Sequence, residues 1–293
     1  MTPRSILCPV DFSDQSRLAL RWAALFARRP GGRVTVLTVV EPLLAEAARV
    51  RLGMDLANDE TGPELREFVA ASLPEGAAEH VRLDVAVGRP AETIVATAER
   101  ERADMVVMGT QGLGGLRKAI LGSTAERVLR SGRTTVLAVP PSGTPAAGAP
   151  AIGRILAATD FSATAAAAVQ AASALAREFS VPLTLLHVVE PVVAPPRWTS
   201  YAAESEAPRA ADARARLERV AADTDGAGGP VVAVGRAAET IAATAEELGA
   251  GLIVMGLTGG DGLFAPRPGS IAYRVLGLAK VPVLVVASAH ESP

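Results

Sequence analysis

The chain repeats itself, and this constrains its fold more than any other feature. RSILCPVDFS at 4–13 returns as GRILAATDFS at 153–162. VAVGRPAETIVATAE at 85–99 returns as VAVGRAAETIAATAE at 232–246, and MVVMGTQG at 105–112 as LIVMGLTG at 252–259. TTVLAVP at 134–140 matches VPVLVVA at 281–287. A period of this size means that one structural unit is built twice. Asp11 and Asp160 lie 149 positions apart, whereas Gly88 and Gly235, and Gly109 and Gly256, lie 147 apart. The two-residue difference falls within 41–80, where a connection can absorb it. Matching Asp, Gly and Ser positions exclude a coincidence between two alanine-rich stretches.

The boundary falls in PPSGTPAAGAPAIG at 140–153, whose Pro and Gly density without charge reads as a linker. The expected division is a first domain over 1–141, a linker over 142–152 and a second domain over 153–293. Each is an ordinary domain in size. With 49% hydrophobic residues the chain has enough apolar side chains for two cores, which excludes whole-chain disorder. A net charge of -2, with no basic half, argues against nucleic acid as a partner. A single cysteine excludes a disulfide framework and a cysteine-rich zinc site. The longest apolar runs, such as TVLTVV, are too short to span a bilayer. The expectation is a soluble, cytoplasmic protein without a membrane partner.

Within each repeat, strand and helix signals alternate. ILCPV, VTVLTVV, VRLDVAV, DMVVMG and TTVLAVP read as five strands. Ser13 is placed to cap the helix after the first, with Leu18, Trp22, Leu25 and Phe26 along one face. Helices are expected near 61–73, over AETIVATAERE and over STAERVLRS. Such alternation implies an α/β fold, a five-stranded parallel sheet with helices on both faces, built twice. Ligands of such sheets bind beyond the carboxyl ends of the strands, where the strand order reverses.

Strand one ends at Asp11 and Asp160, strand two at Val39 and Val188, and strand four at Gly109 and Gly256. The segment after strand four fits G-x2-G-x9-G-S in both repeats: Gly109, Gly112, Gly122, Ser123, then Gly256, Gly259, Gly269, Ser270. Glycines let backbone amides approach an anion closely. Gly-Ser then opens a helix whose free amides and dipole favour phosphate. A carboxylate across the switch point accepts hydrogen bonds from sugar hydroxyls. The pattern points to a nucleotide.

The VDFS strand end, the VGRPAETI segment, the MGTQG strand end and the glycine loop together resemble the universal stress protein family, over nearly all of both repeats. The resemblance implies two Rossmann-like domains of the adenine nucleotide alpha hydrolase-like type. It also implies ATP, with Mg²⁺, as the ligand. Asp11 would hold the ribose, the Val39 backbone would meet adenine, and Gly109 would lie near the ribose. Gly112, Gly122, Ser123 and the Thr124 amide would hold phosphates. The matching positions in repeat two are Asp160, Val188, Gly256, Gly259, Gly269, Ser270 and Ile271. The resemblance further implies pairing through strand five, here within one chain in place of the family's homodimer, and a role as a stress-response regulator.

Repeat two departs inside the loop, where Asp261, Pro266, Arg267 and Pro268 replace a stretch that carries Arg117 and Lys118 in repeat one, so the charge over the nine-residue gap falls from +2 to 0. Each proline removes an amide donor, and Asp261 adds negative charge. Repeat one is therefore the expected tighter site. No histidine accompanies Ser123 or Ser270, so neither reads as a nucleophile, and the expected activity is at most slow ATP hydrolysis. Two alternatives stay open: an ATPase or nucleotidyl transferase at the same site, and a non-catalytic protein-interaction module. Asp11 and Asp160 could be plain helix-start residues. Cys8 reads as a small buried strand residue, His187 as a packing residue at a strand end, and 207–222 as a solvated amphipathic helix.

Overall fold

A computed structural model describes residues 3–74, 77, 81–111, 121–132, 134–141, 150–192, 195–198, 205–257 and 270–287. The chain divides into two compact units, one from Pro3 to Ala151 and one from Ile152 onward.

The first unit contains β1 (Ser5–Pro9), α1 (Asp14–Phe26), β2 (Arg33–Val40), α2 (Pro42–Leu52), α3 (Gly62–Ser72), β3 (Val81–Val87), α4 (Pro90–Arg100), β4 (Met105–Gly109), α5 (Ser123–Ser131) and β5 (Thr135–Val139). One π-helical turn, Ala57–Thr61, leads into α3. The strands lie in the order β3-β2-β1-β4-β5, and every pairing is parallel. The second unit contains β6 (Ile155–Ala158), α6 (Ala163–Phe179), β7 (Leu183–Val189), α7 (Glu206–Ala222), β8 (Val231–Val234), α8 (Ala237–Glu247), β9 (Leu252–Gly256), α9 (Ser270–Leu278) and β10 (Val283–Val286). Its order, β10-β9-β6-β7-β8, is again parallel throughout. The α/β class and the five parallel strands per repeat are as expected.

The connections fix which face each helix covers. From β1 to β2 to β3 the chain advances toward one edge of the sheet, and then it returns through β4 to β5. Right-handed crossovers put α1 and α3 on one face and α4 and α5 on the other. The packing of α1 on α3 and of α4 on α5 agrees. The reversal of direction between β1 and β4 is the switch point.

The central strands are apolar runs because both of their faces are covered. Ile6, Leu7, Cys8, Val107 and Leu137 are all buried, as are their counterparts Ile155, Leu156, Ala157, Val254 and Leu284. Trp22, Leu25 and Phe26 of α1 enter the core as expected, while Leu18 is only half-buried and Ala19, Leu20 and Ala23 complete the face. Edge strands β3 and β8 are half-buried along their lengths, and Val87 and Val234 are exposed.

Two features were not legible in the sequence. The first is α2, a helix with Leu43, Leu44, Val50 and Leu52 exposed and only Ala48 buried. Lacking an apolar stripe aimed at a core, it gives no periodic signal. The second is the reason for the repeated VGR-x-AET segment. A Cβ on Gly88 or Gly235 would collide with the hydroxyl of Thr93 or Thr240, so glycine and threonine recur together as a packing unit.

Candidate functional site

Each domain turns sharply where its first strand ends. Ser13 caps α1, its Oγ accepting from the Ser16 amide at 3.2 Å. Asp11 Oδ1 in turn accepts from the Ser13 amide at 3.2 Å and from the Ser13 hydroxyl at 2.5 Å. In the second domain the Ser162 amide donates to Asp160 Oδ1 at 3.0 Å, and Ser162 Oγ accepts from the Ala165 amide at 3.2 Å. The residue between Asp and Ser is bent into the left-handed region both times: Phe12 at φ 62° and Phe161 at φ 65°. For a bulky side chain that conformation is uncommon and costs roughly 1–3 kcal/mol. It recurs because the chain must leave the strand and start a helix within four residues, Val10–Ser13 and Thr159–Ser162.

The second strand contributes backbone. The Val10 amide donates to Leu37 O at 2.8 Å, so Leu37 points its polar groups at β1. The Gly88 amide donates to Val40 O at 3.0 Å, so Val40 points the other way, at β3. By the two-residue alternation of a strand, Val39 has its N–H and C=O on the β1 side, beyond the point where β1 pairing ends at Pro9 and Val10. The second domain repeats this. Thr159 N–H bonds Leu186 O at 2.9 Å and Gly235 N–H bonds Val189 O at 3.1 Å, which turns the Val188 backbone toward the end of β6.

The fourth strand ends beside the first, with Ile6 and Leu7 paired to Met105 and Val106. Gly109 has a packing reason to be glycine. A Cβ there would sit 3.2 Å from Gln15 Cβ, in the first turn of α1. At Gly256 the crowding is worse, 2.9 Å to Thr164 Cγ2 and 3.1 Å to Thr164 C. These glycines let the first turn of α1 or α6 lie against the end of the fourth strand. In the first domain the Gly122 amide then donates to Thr110 O at 2.7 Å, tying the start of α5 to the end of β4. Gly122 is the N-cap of α5, with no side-chain cap, and Ser123 and Thr124 occupy the first turn. Their amides have no acceptor within the helix. The carboxyl ends of β1, β2 and β4 thus present, on one edge, the Asp11 carboxylate, the Val39 peptide, Gly109 and the α5 N-terminus.

In the second domain Asp160, Val188 and Gly256 hold the corresponding places, and Ser270 and Ile271 open α9. Gly112, Gly259 and Gly269 lie outside the described residues, as do Arg117, Lys118, Asp261, Pro266 and Pro268.

A cleft of about 560 Å³ opens in the second domain over the ends of β6 and β7. Asp160, Phe161, His187, Val188, Arg209 and Arg216 are among the residues that line it. Its floor is aromatic and cationic in a way that the sequence did not announce. The His187 ring stacks on Phe161 with centroids 4.4 Å apart, and Arg216 Cζ lies 4.3 Å from the same ring. His187 Nδ1 is 2.8 Å from Thr159 O, an acceptor, so this nitrogen carries the proton and donates. Arg209 donates to Glu190 O at 3.0 Å, and the Glu190 carboxylate accepts from the Ala237 amide at 2.9 Å, at the start of α8. In the first domain Phe68 of α3 meets Phe12 edge-on at 5.5 Å, with Arg17 Cζ 4.6 Å from the Phe68 ring. The signal that could have flagged these partners was the repeated Asp-Phe-Ser itself. A bulky residue between a strand-end carboxylate and a cap must be held by something.

The other singled-out residues fall into place. Cys8 is fully buried, and burial pushes its thiol pKa up, which makes it inert. The 207–222 segment is helix α7, with only Ala213 and Leu217 buried. No helix among the described residues is long and apolar enough to cross a membrane.

The family model described as "Universal stress protein family" matches residues 3–140 and 151–287. Universal stress protein MJ0531 of Methanocaldococcus jannaschii is 33% identical over 140 residues, covering 46% of this chain and 81% of that protein. Stress response protein NhaX of Bacillus subtilis is 31% identical over 160 residues, covering 46% of this chain and 96% of its own length. Among solved structures, a universal stress protein from Archaeoglobus fulgidus superposes with a TM-score of 0.65 at 22% identity, covering 98% of this chain and 99% of that one.

Proposed function

The chain belongs to the universal stress protein family as a tandem of two such domains, and from that premise we propose that it is an ATP-binding regulator of the stress response. The observation that carries this reading is the convergence, at each switch point, of a strand-end carboxylate with an outward-turned peptide. Asp11 with Val39, and Asp160 with Val188, offer what a nucleoside needs: acceptors for ribose hydroxyls, and one donor and one acceptor for the edge of a base. The α5 N-terminus adds amides for phosphate.

In this reading Asp11 takes the ribose and the Val39 peptide takes adenine. Gly109, Gly112, Gly122, Ser123 and Thr124 line the path of the phosphates. Asp160, Val188, Gly256, Gly259, Gly269, Ser270 and Ile271 do the same in the second domain. The described residues gather no group of three His, Cys, Asp or Glu side chains that would hold a metal, so Mg²⁺ would enter on the phosphates of ATP. The first domain is the tighter site in this reading, because its loop carries Arg117 and Lys118 where the second carries Asp261, Arg267 and two prolines. A cytoplasmic location and pairing of the domains through β5 and β10 belong to the same proposal.

No histidine accompanies Ser123 or Ser270 in the motif, and the proposed role is to hold a nucleotide with at most slow hydrolysis. The test is to identify, by mass, nucleotide released from the purified protein and to titrate ATP by calorimetry. ATP recovered and bound, with no more than slow Mg²⁺-dependent hydrolysis, is the expected result. A nucleotide-free protein that gives no heat with ATP would refute the reading.

A further inference from the structure

The two left-handed phenylalanines are the strained points of the two sites, and each is gripped by groups remote in the chain. The grips differ. In the first domain an aromatic ring from α3, Phe68, meets Phe12. In the second, Phe161 is met by His187 from β7 and Arg216 from α7. The buried pairs Leu65 and Val69 of α3, and Ala213 and Leu217 of α7, set the two helices in register, so Arg216 stands where Phe68 stands in the first domain. His187 likewise stands where Thr38 does.

We propose that His187 and Arg216 are positioning residues of the second domain's site, which hold the Phe161 ring and thereby keep the Asp160–Phe161–Ser162 corner folded, with the Asp160 carboxylate at the mouth of the cleft. The inference rests on the nucleotide reading above. A left-handed phenylalanine returns readily to an extended backbone unless its side chain is restrained. That relaxation would take Asp160 with it, because the Ser162 amide is bonded to Asp160 Oδ1 at 3.0 Å and the Phe161 amide to Thr159 Oγ1 at 3.0 Å. His187 is anchored for the purpose by its bond to Thr159 O, on the strand end just before the corner. Arg216 is exposed on α7, so replacing it leaves the core intact.

Affinity alone would not separate positioning from direct contact, since Arg216 also lines the cleft. The decisive measurement is therefore amide hydrogen exchange of Phe161 and Ser162 in the nucleotide-free chain. Arg216→Ala is expected to speed that exchange about threefold and His187→Thr about fivefold. Arg216→Phe, which installs the first domain's solution, restores protection. In a Phe161→Gly background, where the left-handed backbone needs no restraint, Arg216→Ala has no further effect. Unchanged exchange in both single variants overturns the proposal, and so does an equal effect of Arg216→Ala with and without Phe161. ATP affinity is measured alongside, in a chain whose first site is disabled by Asp11→Ala. It falls with Arg216→Ala, but not when Asp160→Ala is already present. A wild-type chain that binds no nucleotide would sink the functional reading, while the exchange data would still decide the clamp.

Discussion

The two domains build one corner and wall it with different chemistry. Both have a strand-end Asp, a left-handed Phe and a capping Ser, with nearly the same hydrogen bonds. Around that corner the first domain places Phe68, with Arg17 over its outer ring, and the second places His187 and Arg216. The glycine loops differ too, with Arg117 and Lys118 in the first domain and Asp261, Arg267 and two prolines in the second. The comparison teaches that the two domains share the backbone requirement of the corner while the side chains packed around it differ. Duplicated sites with identical skeletons therefore need not have identical occupants.

The largest expected effect tests the sites against each other. Asp11→Ala removes a charged acceptor from the site proposed as the tighter one and should weaken its ATP binding tenfold to about a hundredfold, at roughly 1.5–3 kcal/mol for a hydrogen bond to a charged group. Asp160→Ala should cost the whole chain less if, as proposed, the second site contributes less of the binding. Calorimetric titration of the two variants decides, and a larger loss from Asp160→Ala would reverse the asymmetry.

A second contrast concerns packing. Gly256→Ala forces a Cβ to 2.9 Å from Thr164, whereas Gly109→Ala brings one to 3.2 Å from Gln15. Overpacking by one carbon should cost about 2 kcal/mol at Gly256 and about 1 kcal/mol at Gly109. Denaturant unfolding, followed domain by domain, would show the second domain losing more.

A third contrast is alkaline stability. The folded first domain keeps Cys8 protonated above the ordinary thiol value of 9.0, because burial raises its pKa, while the unfolded chain ionises there. The unfolded state then binds fewer protons, so stability falls as pH rises past that value, by up to about 1.4 kcal/mol per pH unit. Cys8→Ala, which copies Ala157, should flatten that slope in the first domain and leave the second unchanged. Unfolding curves at pH 8, 9 and 10 would check it.

The smallest effect belongs to the surface. Arg130→Ala breaks the exposed Arg130–Glu126 pair on α5 and should shift unfolding of the first domain by no more than about 0.5 kcal/mol. A larger shift would mean that the pair helps to hold the α5 N-terminus and, with it, the first site.

Much of this molecule is written locally. The duplication, the ten strands, the switch-point carboxylates and the Gly-Ser helix starts all follow from spacing and from runs of apolar residues. Those signals are read within one element, where period and capping act over a few residues. Helix α2 escaped because it has no buried stripe to leave a pattern. In the sequence Gly109 and Gly256 read only as glycines of an anion-binding loop; their crowding against Gln15 and Thr164 comes from laying the first helix beside the fourth strand.

The sequence by itself determined what repeats: the order of elements, the place where strand direction reverses and the residue types that arrive there. Only the tertiary structure decided what grips the corner. Phe161 is held by His187 and Arg216, from two other elements of its domain, and Phe12 by Phe68. A local pattern can demand a left-handed turn, but the groups that stabilise a bulky side chain there come from wherever the fold brings them. Contact between residues far apart in the chain leaves no period to read.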